Sequence, residues 1–358
     1  MKIYWKTILD WIRYATSQLR AEPELYYGHG TDNALDEATA LVLGLLHLPY
    51  NLDRSYFAAE VSHEEQDRLW DAIRQRLEKR RPVPYITKSA YFGGLEFYID
   101  ERALIPRSPL AEVLERPGAD YGRILDLCCG SGCLGILAKY HHPEAEVVLA
   151  DCSADALEVA RINVKRFRLG DEVAIVRGDL FENIQGRFDL IICNPPYVED
   201  AEAEEVPAEF KHEPANALYA GADGLDLVRR ILREAPDYLS DDGLLLLEVG
   251  ASADNLVAAY PDCDFDWLEL ERGGVISTSE AAIEGIKGHY DSEAQTASFE
   301  EAEYYLRGKQ QAAVGSAKNA RFDRSHNRDD FESVTWTTCA RLHPAWHIKA
   351  HTLMLDHN

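Results

Sequence analysis

A short polar turn follows one of the apolar runs in this sequence, and its side chains could bind an amide or amine group. The run Phe188–Cys193 leads directly into Asn194, Pro195, Pro196 and Tyr197. Because two prolines cannot continue a central strand, we expect the chain to leave its sheet at the carboxyl edge, where α/β proteins bind ligands. The Asn194 side chain and the Pro195 carbonyl offer two acceptors for one NH₂ group, and Tyr197 offers a flat face. The turn therefore predicts a site for a planar nitrogen group.

A glycine-rich turn earlier in the chain has the features of a cofactor loop. Gly130, Gly132 and Gly135 follow the apolar run Arg123–Cys128 and satisfy the pattern G-x-G-x-x-G. Glycines let the backbone turn sharply and approach a ligand, and the amides at a helix start favour an electronegative group. Asp151 ends the next predicted strand, where an acid can accept ribose hydroxyls. These residues fit a nicotinamide dinucleotide as well as any other adenosine cofactor, and a glycine turn without a cofactor is the alternative.

The elements that must position these turns alternate between short apolar runs and helical patterns. This alternation predicts an α/β fold with a doubly wound, mostly parallel sheet. The predicted strands are Arg123–Cys128, Glu146–Ala150, Val173–Arg177, Phe188–Cys193, Gly243–Val249 and Phe265–Leu270, with helices such as Ala154–Phe167 and Gly224–Leu239 between them.

The chain before this sheet reads as helices followed by a hairpin. Helical spacing of apolar residues begins near Ile8, Ala34 and Ser62, and Arg80–Pro84 breaks the pattern with two prolines. Ala90–Ile105 alternates around a Gly-Gly turn. We predict a helical domain at 1–84, a hairpin and linker at 85–118, the sheet domain at 119–279 and an extension of unknown structure at 280–358. Within that extension, 300–306 is compatible with a helix.

The charge of the chain argues against a nucleic-acid partner. Lys and Arg number 37 against 62 Asp and Glu, so the formal net charge is −25. Such a chain repels a phosphate backbone, so we expect no direct DNA binding. The segment Val198–Pro214, directly after the polar turn, holds seven acids against one lysine. It is either a solvated acidic loop or a surface that attracts a basic protein.

Cysteine usage and hydropathy predict a cytoplasmic protein. Seven cysteines, four of them crowded into residues 128–152, do not suggest a disulfide framework. The longest apolar stretch, Ala38–Leu48, is too short to span a bilayer, and we expect neither a signal peptide nor a membrane partner. Cys339, His343, His347 and His351 are spaced as metal ligands on a helix would be, but Pro344 interrupts them, so we predict no metal. The oligomeric state cannot be read from these patterns.

Taken together, these motifs resemble the class I S-adenosylmethionine-dependent methyltransferases, and among them the protein N5-glutamine methyltransferases. The resemblance covers about residues 1–275. It is carried by Leu104-Ile105-Pro106-Arg107, Asp126-Leu127-Cys128-Cys129-Gly130-Ser131-Gly132, Asn194-Pro195-Pro196-Tyr197 and Glu213-Pro214 with the following Ala217-Leu218 and Asp223-Gly224-Leu225. Arg107-Ser108-Pro109 and Cys128 resemble the branch that acts on ribosomal protein L three of the large subunit. The release-factor branch usually has Pro and an acid, then Thr-Glu, after that arginine.

The resemblance implies a Rossmann-like fold, S-adenosyl-L-methionine as cofactor, and a role for each motif. The implied cofactor-binding residues are Asp126, Cys128, Cys129, Gly130, Ser131 and Gly132 at the methionyl group, Asp151 at the ribose, Asp179 and Leu180 at the adenine, and Asn194. The implied catalytic residues are Asn194 and Pro195, which would grip the amide nitrogen of a glutamine, and Tyr197, which would pack against the amide plane. The N-terminal helical domain would recognise a basic ribosomal protein.

Three alternative functions share parts of this pattern. A release-factor glutamine methyltransferase would use the same catalytic residues. An adenine- or cytosine-directed nucleic-acid methyltransferase also uses Asn-Pro-Pro-Tyr, but it should add a basic recognition surface, against which the net charge of −25 counts. A catalytically silent cofactor-binding assembly factor would not need the intact Asn194–Tyr197 turn.

Overall fold

The fold is described from a computed structural model of the 358-residue chain. The structure describes residues 5–116, 120–204, 206–261, 265, 267–268, 276–277, 288–291, 296–307, 312–323, 328–340 and 343–356, with the backbone alone beyond residue 275. The chain divides into two compact units, one formed by 1–260 and 266–278 and the other by 261–265 and 279–358.

The first unit begins with helices that share an apolar core. They are α1 (Ile8–Ala21), α2 (Ala34–Leu45), α3 (His63–Lys79) and α4 (Val83–Thr87). Thr7 and Ser62 each close a capping box at the start of α1 and α3, which satisfies amides that a helix start leaves without partners. Trp11, Leu41 and Leu69 are fully buried between the helices. The predicted N-terminal helices are thus present.

The prolines before the hairpin lie at the start of a short helix. Pro82 caps α4 and Pro84 lies in its first turn. Proline is tolerated there because the amides of a first helical turn have no partner within the helix and its fixed φ suits the helix. The predicted break in the helical pattern is confirmed, since α3 ends at Lys79, although Val83 and Pro84 already belong to α4.

A two-stranded hairpin joins the helices to the sheet. Strands β1 (Ser89–Phe92) and β2 (Leu95–Tyr98) pair antiparallel around Gly93 and Gly94, as predicted. The backbone amide of Tyr98 donates to Asn163 Oδ1 at 2.8 Å, and Asn163 Nδ2 donates to the carbonyl of Ser131 at 2.9 Å. One buried asparagine therefore ties the hairpin to the loop that follows the first strand of the sheet.

The main sheet confirms the predicted class I methyltransferase fold. After the short helix α5 (Leu110–Leu114), its elements are β3 (Arg123–Leu127), α6 (Cys133–His141), β4 (Glu146–Asp151), α7 (Ala154–Arg166), β5 (Val173–Arg177), β6 (Phe188–Cys193), α8 (Asp226–Glu234), β7 (Leu239–Glu248), α9 (Ala253–Ala259) and β8 (Ile276–Ser277). The strand order is β5-β4-β3-β6-β7-β8, parallel except for β8. The order reverses direction between β3 and β6, which is where ligands bind in doubly wound sheets.

The last strand of this sheet differs from the prediction. Phe265, Trp267 and Leu268, the described residues of the predicted strand Phe265–Leu270, lie in no strand. Instead Ile276 and Ser277 pair antiparallel with the end of β7. An apolar run alone does not identify the segment that completes a sheet edge, because pairing depends on where the preceding loop returns the chain.

The second unit contains a five-stranded antiparallel sheet. In the order of the sheet its strands are β13 (His343–Asp356), β12 (Arg328–Ala340), β11 (Ala312–Asp323), β10 (Thr296–Arg307) and β9 (Gly288–Asp291). The helix considered for 300–306 was wrong, since these residues lie in β10. His343, His347 and His351 lie on the extended strand β13, where residues four apart are about 13 Å from each other. The helical spacing that suggested metal ligands does not exist there.

None of the helices in the described part of the chain has the length and apolar character needed to cross a bilayer.

Candidate functional site

The register of the sheet brings the predicted site residues to one edge. Leu127 pairs with Ala150 on one side and with Cys193 on the other. Cys193 pairs in turn with Leu247. The residues that follow these four positions are Cys128, Asp151, Asn194 and Glu248. The carboxyl ends of four neighbouring parallel strands therefore deliver the cofactor loop, the ribose acid, the polar turn and a buried glutamate side by side.

The turn after β3 has the backbone of a ligand cradle. Gly130 and Gly132 have φ of +54° and +77°, in the left-handed region that glycine adopts without strain. A Cβ at Gly132 would lie 2.9 Å from the Leu149 side chain, whereas nothing lies within 4 Å of one at Gly130. Cys128 also adopts a left-handed conformation, with φ of +59°. A backbone this strained at a non-glycine residue is typical of functional loops.

Two carboxylates accept hydrogen bonds from this turn and from the helix that follows it. Asp151 accepts hydrogen bonds from the amides of Gly130 and Ser153, at 2.9 and 2.8 Å. Asp126 is fully buried, and its Oδ2 accepts from the Gly135 amide at 2.7 Å while its Oδ1 is buried without a hydrogen-bond partner. Burial raises the pKa of Asp126 to about 7, and the neighbouring Asp151 adds to that rise. Asp126 thus presents one carboxyl oxygen that still lacks a donor.

The residues predicted to flank an adenine ring lie after β5. Asp179 is exposed and accepts two hydrogen bonds from Arg230 on α8, at 3.1 and 3.0 Å. Leu180 is buried and has φ of +53°. The Arg230 guanidinium fixes the Asp179 carboxylate in one orientation and leaves acceptor capacity on both oxygens. Arg230 was not singled out from the sequence.

The two predicted acceptors of the polar turn after β6, the Asn194 side chain and the Pro195 carbonyl, receive no hydrogen bond from the described residues. Asn194 and Pro196 line a cavity together with the glycine loop, Asp151, Asp179 and Leu180. Pro195 is buried, and neither it nor Tyr197 contributes to the wall of that cavity.

Tyr197 is held by the last residue of β7 and by the segment that follows it. Its hydroxyl donates to Glu248 Oε1 at 2.9 Å, and its backbone carbonyl accepts from Ser252 Oγ at 2.7 Å. A Cβ added at Gly250 would lie 2.4 Å from the tyrosine ring. Burial raises the pKa of the Tyr197 phenol, and the adjacent Glu248 carboxylate reinforces that rise. The Glu248 side chain was missed from the sequence, although a charge ending the apolar run Leu244–Leu247 was a visible signal.

Arg107, which lines the cavity, is held in place by a buried glutamate. Its Nη1 donates to both oxygens of Glu213, at 2.8 and 3.0 Å, and its guanidinium lies 5.0 Å from the centroid of the Phe210 ring. His29 lies 2.6 Å from Glu213 on the other side. Burial pushes the pKa of Glu213 upward, but His29 and Arg107 together hold it below its usual value.

The loop Val198–Pro214 is less solvated than its sequence suggests. Glu209 and Glu213 are buried, and Glu209 accepts from Arg76 on α3 at 2.8 Å and from the Tyr26 amide at 3.2 Å. Asp200, Glu202 and Glu204 are exposed, and Glu205 lies outside the described residues. The interpretation of seven solvated acids was therefore wrong for two of them, which anchor the loop to the N-terminal helices.

Comparisons with known proteins show the family to which the chain belongs. Residues 108–223 match the family described as "Methyltransferase small domain". The chain is 46% identical to the ribosomal protein uL3 glutamine methyltransferase of Xanthomonas campestris over 75% of its own length and 88% of that protein. It is also 46% identical to the protein of the same name from Bordetella pertussis, over 74% of this chain and 91% of the relative. The chain belongs to the ribosomal protein uL3 glutamine methyltransferases. A methyltransferase of known structure from Pyrococcus furiosus is 15% identical, with a TM-score of 0.35, over 71% of this chain and 96% of its own.

As a member of this family, the protein is an enzyme that uses S-adenosylmethionine. The structure fits that cofactor at the edge described above. The buried Oδ1 of Asp126, which receives no hydrogen bond from the described residues, suits a positively charged amino group, and nothing lies within 4 Å of a Cβ added at Gly130, so a ligand can approach the backbone there. The part of the chain described by the structure contains no cluster of three or more His, Cys, Asp or Glu residues arranged to hold a metal ion.

Proposed function

We propose that this enzyme transfers a methyl group from S-adenosylmethionine to the side-chain amide nitrogen, N5, of a glutamine in ribosomal protein uL3. The observation that carries the proposal is the turn after β6, where the Asn194 side chain and the Pro195 carbonyl receive no hydrogen bond from described residues. Two such acceptors suit the two hydrogens of one carboxamide NH₂ group. The names of the relatives supply the ribosomal protein and the glutamine.

The proposed chemistry must compensate for the weak nucleophilicity of an amide nitrogen. Its lone pair is delocalised into the carbonyl, so it is a weak nucleophile. Bound S-adenosylmethionine supplies a methyl group that its sulfonium already activates. The Asn194 side-chain oxygen and the Pro195 carbonyl accept hydrogen bonds from the two amide N–H groups, which increases electron density on the nitrogen and orients it for in-line attack. Tyr197 packs against the amide plane, and the extra proton leaves after transfer. Orientation and electrostatics therefore supply most of the rate.

The remaining sites are assigned to the cofactor. We assign the methionyl group to Asp126 and the segment Cys128–Gly132, the ribose hydroxyls to Asp151, and the adenine to Asp179 and Leu180. Support comes from the sheet register, which brings all of these segments to one edge.

Recognition of the protein substrate is assigned to the N-terminal helical domain, residues 1–84, with the hairpin. A groove of 670 Å³ lies between α2, α4 and β1 and contains the tyrosines Tyr50 and Tyr91, whose ring centroids are 5.2 Å apart. Pro106 lines both this groove and the cofactor cavity. A segment of substrate in the groove would therefore lead toward Asn194. Such a substrate is met in the cytoplasm, where ribosomal proteins are made.

A methylation assay tests the function directly. Purified enzyme is incubated with S-adenosylmethionine and either free uL3 or a release factor, and the products are mapped by mass spectrometry. We expect one methyl group on one glutamine of uL3 and much slower transfer to the release factor. Equal or faster modification of the release factor would assign the enzyme to that alternative branch.

The cofactor is tested separately by thermal melting. A ligand at 100 times its Kd adds about 2.7 kcal/mol to the stability of the state that binds it. We expect S-adenosylmethionine to raise the melting temperature and NAD to leave it unchanged. A shift with NAD alone would contradict the assignment.

A further inference from the structure

A single buried carboxylate joins two segments that border the site proposed for the glutamine amide, the turn after β6 and the segment before α5, which we call the two walls of the acceptor site. Glu248 ends β7, is 5% exposed, and accepts hydrogen bonds through both of its oxygens. Oε1 accepts from the Tyr197 hydroxyl, which belongs to the turn after β6. Oε2 accepts from the Ser108 hydroxyl, which belongs to the segment before α5. Ser108 lines the cofactor cavity, next to Arg107.

Burying a carboxylate at this position costs free energy, and this cost indicates a specific role. The preceding residues of β7 are the apolar run Leu244–Leu247, and burial raises the pKa of Glu248. Burying a charge is tolerated only when hydrogen bonds compensate it. An ionised carboxylate is an acceptor on both oxygens, so it can receive two hydroxyl protons at once, whereas an amide offers one acceptor oxygen. The two hydroxyls of Ser108 and Tyr197 match that capacity.

The other contacts of Tyr197 leave its ring orientation dependent on Glu248. Ser252 holds the tyrosine backbone, and Gly250 limits one side of the ring. The hydroxyl has one protein partner among the described residues, Glu248. Ser108 has the same partner, and the Leu110 amide donates to its Oγ at 3.2 Å. Both walls therefore take their position from the same carboxylate.

We propose that Glu248 is the positioning residue of the acceptor site and that, through Ser108 and Tyr197, it sets the separation between the two walls that receive the glutamine amide. The inference rests on the proposed function for the identity of that acceptor. Glu248 itself touches neither the cofactor cavity nor, in this assignment, the substrate. Its effect is on the alignment of nitrogen with the methyl group, where a displacement of 1 Å can cost about 10²-fold in rate.

The test uses the full-length enzyme with Glu248→Gln, Tyr197→Phe, Ser108→Ala and the double variant Glu248→Gln/Tyr197→Phe. The matched control is Asp189→Asn. Asp189 lies near the start of β6, at the opposite end of the sheet, and also accepts a hydroxyl, from Ser240 at 2.8 Å, together with the backbone amides of Gly122 and Arg123. Measurements are the melting temperature, the Kd for S-adenosylmethionine by calorimetry, and kcat and KM for the protein substrate.

For Glu248→Gln we expect kcat to fall about 10- to 100-fold, with the cofactor Kd and the substrate KM changed less than about threefold. The double variant should be no slower than the slower of its two single variants, because both act through one contact. Asp189→Asn should keep kcat within about threefold even if its melting temperature falls equally.

Three outcomes would overturn the inference. They are an unchanged kcat in Glu248→Gln, a cofactor Kd that rises as far as kcat falls, and multiplicative losses in the double variant. Failure of the proposed function looks different. If the parent enzyme methylates another acceptor, mass spectrometry reveals that, and the same kcat comparison on that acceptor still decides the role of Glu248.

Discussion

At the scale of single residues, the available oxygen of Asn194 is the most direct target. We expect Asn194→Ala to lower kcat by about 10²–10³, the usual effect of removing one oriented group from a preorganised site. The cofactor Kd should change little, because the glycine loop and Asp151 remain. Single-turnover methyl transfer and calorimetry measure the two quantities.

Asn216→Ala is the control for that variant. Asn216 lines the same cavity from a different segment and is exposed. We expect it to keep kcat within about threefold. Near parent-like turnover by Asn194→Ala would show that the side chain does not hold the acceptor.

The buried carboxyl of Asp126 should make cofactor binding depend on pH. Its pKa is raised to about 7, so the group is mostly neutral at pH 6 and mostly ionised at pH 8. A positively charged ligand group favours the ionised form. We therefore expect the Kd for S-adenosylmethionine to fall by about tenfold between pH 6 and pH 8, by calorimetry, with Asp126→Asn removing most of that dependence.

The same group acts in the opposite direction on the ligand-free protein. Its folded pKa lies above the unfolded value of about 3.9, so its contribution to stability is full below that value and is lost as pH rises through about 7. The stabilisation by cofactor should accordingly grow over the interval in which the ligand-free enzyme loses stability. A Kd for S-adenosylmethionine that is constant from pH 6 to pH 8 would show that the Asp126 carboxylate does not bind the cofactor.

At the scale of elements, the turn after β7 is expected to control Tyr197. Gly250→Ala places a Cβ 2.4 Å from the tyrosine ring, in a residue with φ of +50°. We expect kcat to fall at least tenfold, since the ring must shift. Gly94→Ala is the matched control, because Gly94 also has positive φ, +74°, but nothing lies within 4 Å of its added Cβ. Both variants should lose about 1–2 kcal/mol of stability, and only the first should lose activity.

The loop Val198–Pro214 should depend on its buried acid for stability. Glu209→Gln leaves the Arg76 guanidinium, which is 1% exposed, with less compensation. Breaking a buried pair typically costs about 3 kcal/mol or more. Urea unfolding followed by tryptophan fluorescence measures the change, and Glu202→Gln on the exposed part of the loop should stay within about 0.5 kcal/mol. Equal effects of the two substitutions would contradict the anchoring role of Glu209.

Elements with strong local signals were predictable, and contacts between distant segments were not. The strands β5 and β6 and the hairpin follow their sequence patterns because periodicity and glycine turns act over a few residues. Asn194 and Asp151 could be assigned to a site because the carboxyl edge of a parallel sheet gathers strand ends. Arg76 lies 133 positions from Glu209 and Ser108 lies 140 positions from Glu248, and nothing in local spacing reports contacts between residues so far apart.

At the scale of the whole molecule, a net charge of −25 should favour encounters with a basic protein. Glu202 and Glu204 are exposed on the loop that follows the polar turn, so Glu202→Gln/Glu204→Gln should lower kcat/KM more than kcat at low salt. The difference should vanish near 1 M salt, where the Debye length is about 3 Å. Glu144→Gln/Asp171→Asn removes the same charge at the amino edge of the sheet and should have less effect. An unchanged kcat/KM at low salt would exclude steering by this loop.

The contacts of Glu209 and Glu213 also affect how the enzyme folds while the ribosome synthesises it. Glu209 meets the Tyr26 amide across 183 positions and Glu213 meets His29 across 184. Translation proceeds at about 5–20 residues per second, so the 133 positions that separate Arg76 from Glu209 take roughly 7–27 s to synthesise. During that interval Arg76 and its first acidic partner, Glu37, have been synthesised, whereas its second acidic partner, Glu209, has not. The nascent chain therefore contains its glycine loop before Glu209 can pair with Arg76, and Glu248 can bond Ser108 and Tyr197 only after β7 has left the exit tunnel.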